Sequence, residues 1–220
     1  LSLKTHIHHS SVETLRLTLR IDCILVKKLE TRNKKYISFS LWGNEPIYNV
    51  GIIRNIELAK QIYIGWEIVV YLDDTVPLKT IELLKEQGLR IIKMNAEIYG
   101  MFWRFMAADL QDCKYAIFRD CDSRLSEREY RAVNEWMNSG KSLHIMRDHP
   151  YHHDLYADTK FHILGGMWGI KGGLLPFEEM ISSYSLEHET GYGSDQFFLN
   201  EIYHKLVADA LIHDSSSGTH

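Results

Sequence analysis

The stretch KYAIFRDCDSRLS, residues 114–126, places two carboxylates, Asp120 and Asp122, directly after an apolar run. Runs rich in β-formers read as buried strands. A carboxylate at the end of such a strand is costly unless its charge is compensated. On a strand end or turn, residues i and i+2 can point to the same side, so Asp120 and Asp122 can share one hard cation. Carboxylate oxygens suit Mg2+ or Mn2+, and Mn2+ also accepts an imidazole. Such an ion would screen two like charges and keep coordination positions open for phosphate oxygens. The plainer alternative is that Asp122 caps the following helix while Asp120 pairs with Arg119 or Arg124.

The elements around this pair set its context. KYISFSLWG, WEIVVYLDD, LRIIKMN and KYAIFRDCD read as four strands, and SLHIMRDHP, FHILGGMWGIKG and DALIHDS as three more. Between the early strands, Ile52, Ile56, Ala59 and Tyr63 recur at helical spacing. VPLKTIELLKEQG has Pro77 near a helix start and Gly88 at its end. YGMFWRFMAADLQ reads as a helix, and so do LPFEEMISSY and GSDQFFLNEIYHKL. Ser126 and Glu129 have capping-box spacing before a helix that closes at Gly140. Strands alternating with helices predict an α/β fold, a mostly parallel central sheet covered on both faces. Ligands of such sheets sit beyond the carboxyl ends of strands, where Asp73, Asp120, Asp122 and Asp148 all fall.

Composition narrows the classes further. With 220 residues, 45% apolar and 25% charged, the chain is globular rather than disordered. A net charge of −4 with scattered Lys and Arg announces no nucleic-acid partner. No run reaches the ~18 apolar residues of a membrane span. Cys23, Cys113 and Cys121 have no metal spacing and fit free thiols in a reducing, cytoplasmic compartment. No P-loop or Gly-x-Gly-x-x-Gly fingerprint occurs, which argues against a nicotinamide or flavin domain. The chain begins at Leu1 and ends in HDSSSGTH, which reads as a domain excised from a larger protein. Residues 1–34 form an N-terminal segment of unclear role, expected to pack on a single domain spanning 35–220. His6, His8, His9, His152 and His153 read as solvated loop histidines, and Trp103, Trp136 and Trp168 as core.

Several segments together resemble the GT-A nucleotide-sugar glycosyltransferases, over residues 35–214. FWRFMAADLQDCKYAIFRDCDSRL is similar to the glycogenin-like and bacterial galactosyltransferase-like arrangement, in which an Arg-bearing helix precedes a strand ending in Asp-x-Asp. GSDQFFLNEIY is similar to their Asp-Gln helix, LIHDS to their late metal-binding His, and ILGGMWGIKGG to a small-residue strand lining the donor sugar. MRDHP resembles a bacterial and large-virus polysaccharide-synthesising subset.

The resemblance implies a GT-A Rossmann-like fold and transfer of a sugar from a UDP-sugar to a glycan or glycoprotein acceptor. It implies Asp122 and His213 as ligands of Mn2+ or Mg2+, with Asp120 on the metal or the donor ribose. Phe39, Leu41 and Trp42 would frame the base, and Asp73 would reach the nucleoside. Arg104 would hold a donor phosphate or orient the acidic site. Gly165 and Gly166 would let backbone pass close to the sugar. Asp148, Asp195 and Gln196 would meet sugar hydroxyls or the reacting centre. No clear inverting base stands out, and the glycogenin-like segments favour retention. Two other readings compete. One is a haloacid-dehalogenase-like phosphatase, whose Asp-x-Asp supplies a nucleophile but stands near the chain start. The other is a nucleotide- or glycan-binding module without turnover.

Overall fold

In β1 (Lys34–Leu41), Ile37, Phe39 and Leu41 face one way and Tyr36, Ser38 and Ser40 the other, and all six are buried. A strand buried on both faces needs a layer on each. The computed structural model, which describes residues 31–95, 97–148 and 161–214, supplies both. Residues 1–30, His152 and His153 lie outside the described residues.

The central sheet has seven strands in the order β3-β2-β1-β4-β6-β5-β7. These are β1, β2 (Glu67–Leu72), β3 (Arg90–Lys93), β4 (Cys113–Phe118), β5 (Leu143–Arg147), β6 (Trp168–Lys171) and β7 (Ala210–Asp214). All run parallel except β6, which is antiparallel to β4 and β5. On one face lie α1 (Pro46–Ile62), α2 (Leu78–Glu86) and α3 (Glu127–Ser139), joined to the sheet through Ile52, Ile56, Leu84, Val133 and Trp136. On the other lie a 3-10 helix (Gly100–Asp109), α4 (Phe177–Glu187) and α5 (Ser194–Leu206), packed through Phe102, Phe105, Phe177, Phe198 and Ile202. This is the expected α/β sheet with helices on both faces, and from Lys34 onward the described chain forms one compact unit.

Local signals act where the sequence puts them. The Ser126 side chain accepts from Glu129 N–H and Glu129 reaches back to Ser126 N–H, a complete capping box, and Gly140 ends α3 in the left-handed conformation at φ 73°. Ile52, Ile56, Ala59 and Tyr63 are all buried, as their spacing predicts. Trp103, Trp136 and Trp168 are core, at most 2% exposed. Cys113 and Cys121 are both buried. Among the described residues no helix is long and apolar enough to cross a membrane.

The Arg104 segment is a helix, as expected, and of the 3-10 type. Ser40 Oγ accepts from Arg104 N–H at 2.9 Å and Ser38 Oγ donates to Arg104 C=O at 2.7 Å, so β1 takes backbone groups that an α-helical ladder would use. Gly165 and Gly166 stand in a turn ahead of β6, closed by Met167 N–H to Leu164 C=O at 3.0 Å, not in a strand.

Candidate active site

β4 ends at Phe118, and its next residues turn across the carboxyl ends of the sheet. Arg119 N–H still bonds Ser38 C=O at 3.1 Å. Its guanidinium, 1% exposed, donates to Phe118 C=O at 2.7 Å and Trp168 C=O at 3.1 Å. It therefore fastens the strand end and does not pair with Asp120.

The Asp-x-Asp turn is held from α1. Asn55 Nδ2 donates to Cys121 C=O at 3.2 Å and Ser123 C=O at 2.9 Å, and Asn55 Oδ1 accepts from Leu125 N–H at 3.2 Å. One helical turn earlier, a Cβ on Gly51 would overlap the Cys121 carbonyl, so only glycine lets helix and turn approach this closely. Cys121 Sγ adds a contact to Ser40 C=O at 3.2 Å, and burial pushes its thiol well up. The result is a fixed turn with Asp122 exposed and the Asp120 side chain 41% exposed.

Asp120 faces Arg104. The Arg104 guanidinium, 5% exposed, pairs through Nη1 with Asp120 Oδ1 and through Nη2 with Asp195 Oδ2 at 3.1 Å. Asp195, in the first turn of α5, is 1% exposed. Burying one charge costs several kcal/mol, so each member needs the others. Burial pushes the Arg104 guanidinium down, but the Asp120 and Asp195 charges outweigh it and hold it above its ordinary value. Burial pushes the Asp195 carboxyl up, and Arg104 opposes this only in part.

The glycine pair closes around this bridge. A Cβ on Gly165 would overlap Arg104 Nη2 and Asp195 Oδ2, and one on Gly166 would overlap the Asp120 carboxylate. Neither glycine has a positive φ, so space and not backbone conformation calls for them.

The other expected residues spread out. Phe39 and Leu41 are at most 1% exposed in the α1 face of the core, so their side chains are not placed to meet a base. Trp42, one residue on, is half-buried, packs at 5.9 Å from Tyr99 and 6.0 Å from Trp103, and covers Gly100. Asp73 Oδ1 accepts from Thr75 N–H at 3.0 Å, and Thr75 Oγ accepts from Gly43 N–H at 2.6 Å, which ties the β1 and β2 loops together. Asp148 is engaged by both arms of Arg128 from α3. Gln196 is half-buried beside Asp195.

His213 is not brought to Asp120 and Asp122. In β7, Leu211 and His213 face α3, while Ala210 and Ile212 face the opposite core. The His213 ring lies 3.1 Å from His144 Nε2 through Nδ1 and 3.1 Å from Glu135 Oε2 through Nε2. His144 is fully buried and stacks on Trp136. Burial, then the nearby Arg119 and His213 charges, hold its imidazole well below its ordinary value. Among the described residues no group of three His, Cys, Asp or Glu side chains could hold a metal.

Sequence reasoning missed Ser38, Ser40, Gly51 and Asn55. The signal was present for three of them: two serines alternating through an apolar strand, and an asparagine inside an apolar helical stripe.

No protein-family model and no curated protein matches the sequence. Solved structures do match. A glycosyltransferase involved in glycosylating the major capsid of PBCV-1 aligns with a TM-score of 0.52 at 11% identity, covering 83% of this chain and 82% of that one. Glucosyl-3-phosphoglycerate synthase from Mycobacterium tuberculosis, in complex with Mg2+ and uridine diphosphate, aligns with a TM-score of 0.53 at 14% identity, covering 86% of this chain and 71% of that one. The chain has the GT-A fold.

Proposed function

We propose that this protein is a glycosyltransferase that moves a sugar from a nucleoside diphosphate, a UDP-sugar, to a hydroxyl of a glycan or glycoprotein. The observation that carries the reading is the Asp120–Arg104–Asp195 bridge at the carboxyl end of β4, with Asp122 exposed beside it in a GT-A sheet.

Asp122 and the partly exposed Asp120 fit a hard divalent cation. Mg2+ is commonly held by one or two carboxylates and completes its shell with water and phosphate oxygens. His213 is no part of this set, so an imidazole gives no reason to prefer Mn2+ over Mg2+. When bound, the cation would supply charge neutralisation for the leaving diphosphate.

The chain's own residues do the positioning. Arg104 is occupied on both arms, so it orients Asp120 and Asp195 rather than reaching for a phosphate itself. Asn55 and Gly51 fix the turn so that Asp122 points outward without reorganisation. Trp42 and Asp73, at the ends of β1 and β2, are the candidates we keep for the nucleoside. Gln196 is the side chain beside Asp195 assigned to sugar hydroxyls. Glycosyl transfer passes through an oxocarbenium-like state. Both carboxylates considered as an inverting base are engaged, Asp148 by Arg128 and Asp195 by Arg104, which favours retention. The guanidinium on Asp120 also disfavours the phosphatase reading, since it withdraws electron density from the would-be nucleophile. The buried, free Cys121 goes with a reducing, cytoplasmic setting.

The test is release of UDP from UDP-glucose, UDP-galactose and UDP-N-acetylglucosamine in Mg2+ or Mn2+. Turnover of at least one donor, lost in Asp122→Asn, is expected. Donor binding without any release would favour the binding module, and neither binding nor release would overturn the reading.

A further inference from the structure

Two tyrosines on different elements, Tyr48 on α1 and Tyr192 on the turn into α5, stand by this site, and neither belongs to the bridge or the Asp-x-Asp turn. Tyr48 lies in the first turn of α1. Gly51 and Asn55, three and seven residues on, share its helix face. That face is the one pressed on the Asp-x-Asp turn, through the Cys121 carbonyl at Gly51 and the Cys121 and Ser123 carbonyls at Asn55. Helix geometry therefore carries Tyr48 to the outer end of the contact, beside exposed Asp122. Its side chain is not absorbed into the core, since the residue is 39% exposed.

Tyr192 lies on the turn that leads into α5. It stands between Gly191 and Gly193 at the tip of the turn into α5 and is 92% exposed. The turn is not loose. Ser194 N–H bonds Gly191 C=O at 3.1 Å, Gly191 N–H bonds Ser194 Oγ at 2.7 Å, and Gly193 takes φ 83°, which favours glycine. Asp195, three residues after Tyr192, anchors this turn to Arg104 and through it to Asp120. The electrostatics agree with the geometry. Burial, then the charges of Asp122, Tyr192 and Asp120, hold the Tyr48 hydroxyl above its ordinary value.

We propose that Tyr48 and Tyr192 form an aromatic clamp that takes a pyranose ring at the mouth of the Asp120/Asp122 site. The C–H face of a pyranose lies flat on an aromatic ring, and a phenol hydroxyl bonds its equatorial hydroxyls, so tyrosine supplies both contacts from one side chain. The hydrogen-bonded turn fixes the backbone that carries the Tyr192 ring and leaves the ring open to a ligand. The clamp rests on the glycosyltransferase reading. The ring belongs either to the donor sugar or to the acceptor, and the same experiment separates the two.

Wild type, Tyr192→Ala, Tyr192→Phe and Tyr48→Phe are titrated with UDP, UDP-glucose and UDP-galactose in Mg2+. Saturation-transfer NMR then follows methyl glucoside and methyl galactoside in the presence of UDP. Tyr192 is almost wholly exposed, so its substitution leaves folding intact. The clamp predicts UDP affinity within about twofold of wild type in every variant. It predicts at least a fivefold loss in Tyr192→Ala of either the extra affinity for UDP-sugar over UDP or the glycoside signal. Loss of the first assigns the ring to the donor, and loss of the second to the acceptor. Tyr192→Phe retains most of the binding, and Tyr48→Phe loses part of it with the hydroxyl. The clamp is overturned if neither sugar readout changes, or if UDP affinity falls in parallel. A wild-type protein that binds glycosides through these tyrosines but not UDP would keep the clamp and remove the donor reading. One that binds neither would remove both.

Discussion

Arg104 and Asp195 meet at 3.1 Å with only 5% and 1% of their side chains exposed, 91 residues apart in the chain. The pair joins the 3-10 helix to the start of α5, and the second arm of Arg104 joins both to the end of β4. This three-way contact joins Asp120, Arg104 and Asp195 into one unit. Gly165 and Gly166 pass it at a distance no side chain would tolerate.

Removing Arg104 leaves Asp195 as a buried charge without its counter-ion. Arg104→Met is expected to lower stability by about 3–5 kcal/mol, the range for breaking one side of a buried pair. Urea denaturation measures it. A loss below about 1 kcal/mol would mean that water reaches Asp195 and that the bridge is not a buried one.

Gly166→Ala puts a methyl group on the Asp120 carboxylate. The carboxylate must turn aside or the turn must shift. The expected outcome is a folded protein, native by circular dichroism, with UDP affinity in Mg2+ reduced at least tenfold. Unchanged affinity would show that Asp120 has no part in binding.

Asn55→Ala removes the side-chain hydrogen bonds that fix the Asp-x-Asp turn, three of them at 3.2 Å or shorter. At about 1 kcal/mol net for each bond, the expected loss is about 3 kcal/mol, read from the denaturation midpoint. UDP binding should weaken as well, because Asp122 loses its fixed orientation. A destabilised protein with wild-type binding would separate the turn from the site.

Asp195 carries a pH signature. Burial raises its carboxyl above the ordinary 3.8, so over the window upward from 3.8 the native state keeps a proton that the unfolded chain has lost. The group's contribution is fully present below 3.8 and is lost as pH rises through the native value. The stability difference between wild type and Asp195→Asn should therefore shrink as pH rises from 3.5 to 6.5. A difference that stays flat or grows over that range would contradict the raised value.

The sheet and most helices were legible because alternation, helical spacing, the Ser126–Glu129 box and Gly140 are local signals. What was illegible depends on which face a side chain takes. β1 is buried on both sides, so an apolar run at its end does not reveal that Phe39 and Leu41 are fully buried on the α1 face while Trp42 is half-buried against the other. In β7 a one-residue step decides whether a histidine faces the opposite core or α3, and His213 faces α3 with His144 and Glu135. The Asp-x-Asp and Arg104 were legible as chemistry. Their joining through Asp195, and the support from Ser38, Ser40, Gly51 and Asn55, are long-range contacts that no local spacing encodes.

The most direct test of the central claim is calorimetric titration of the protein with UDP, with and without Mg2+, alongside Asp122→Asn. The account predicts UDP binding at least tenfold tighter with Mg2+ in wild type, and loss of that gain in Asp122→Asn. UDP affinity that ignores both the metal and Asp122, or no UDP binding under either condition, would contradict it.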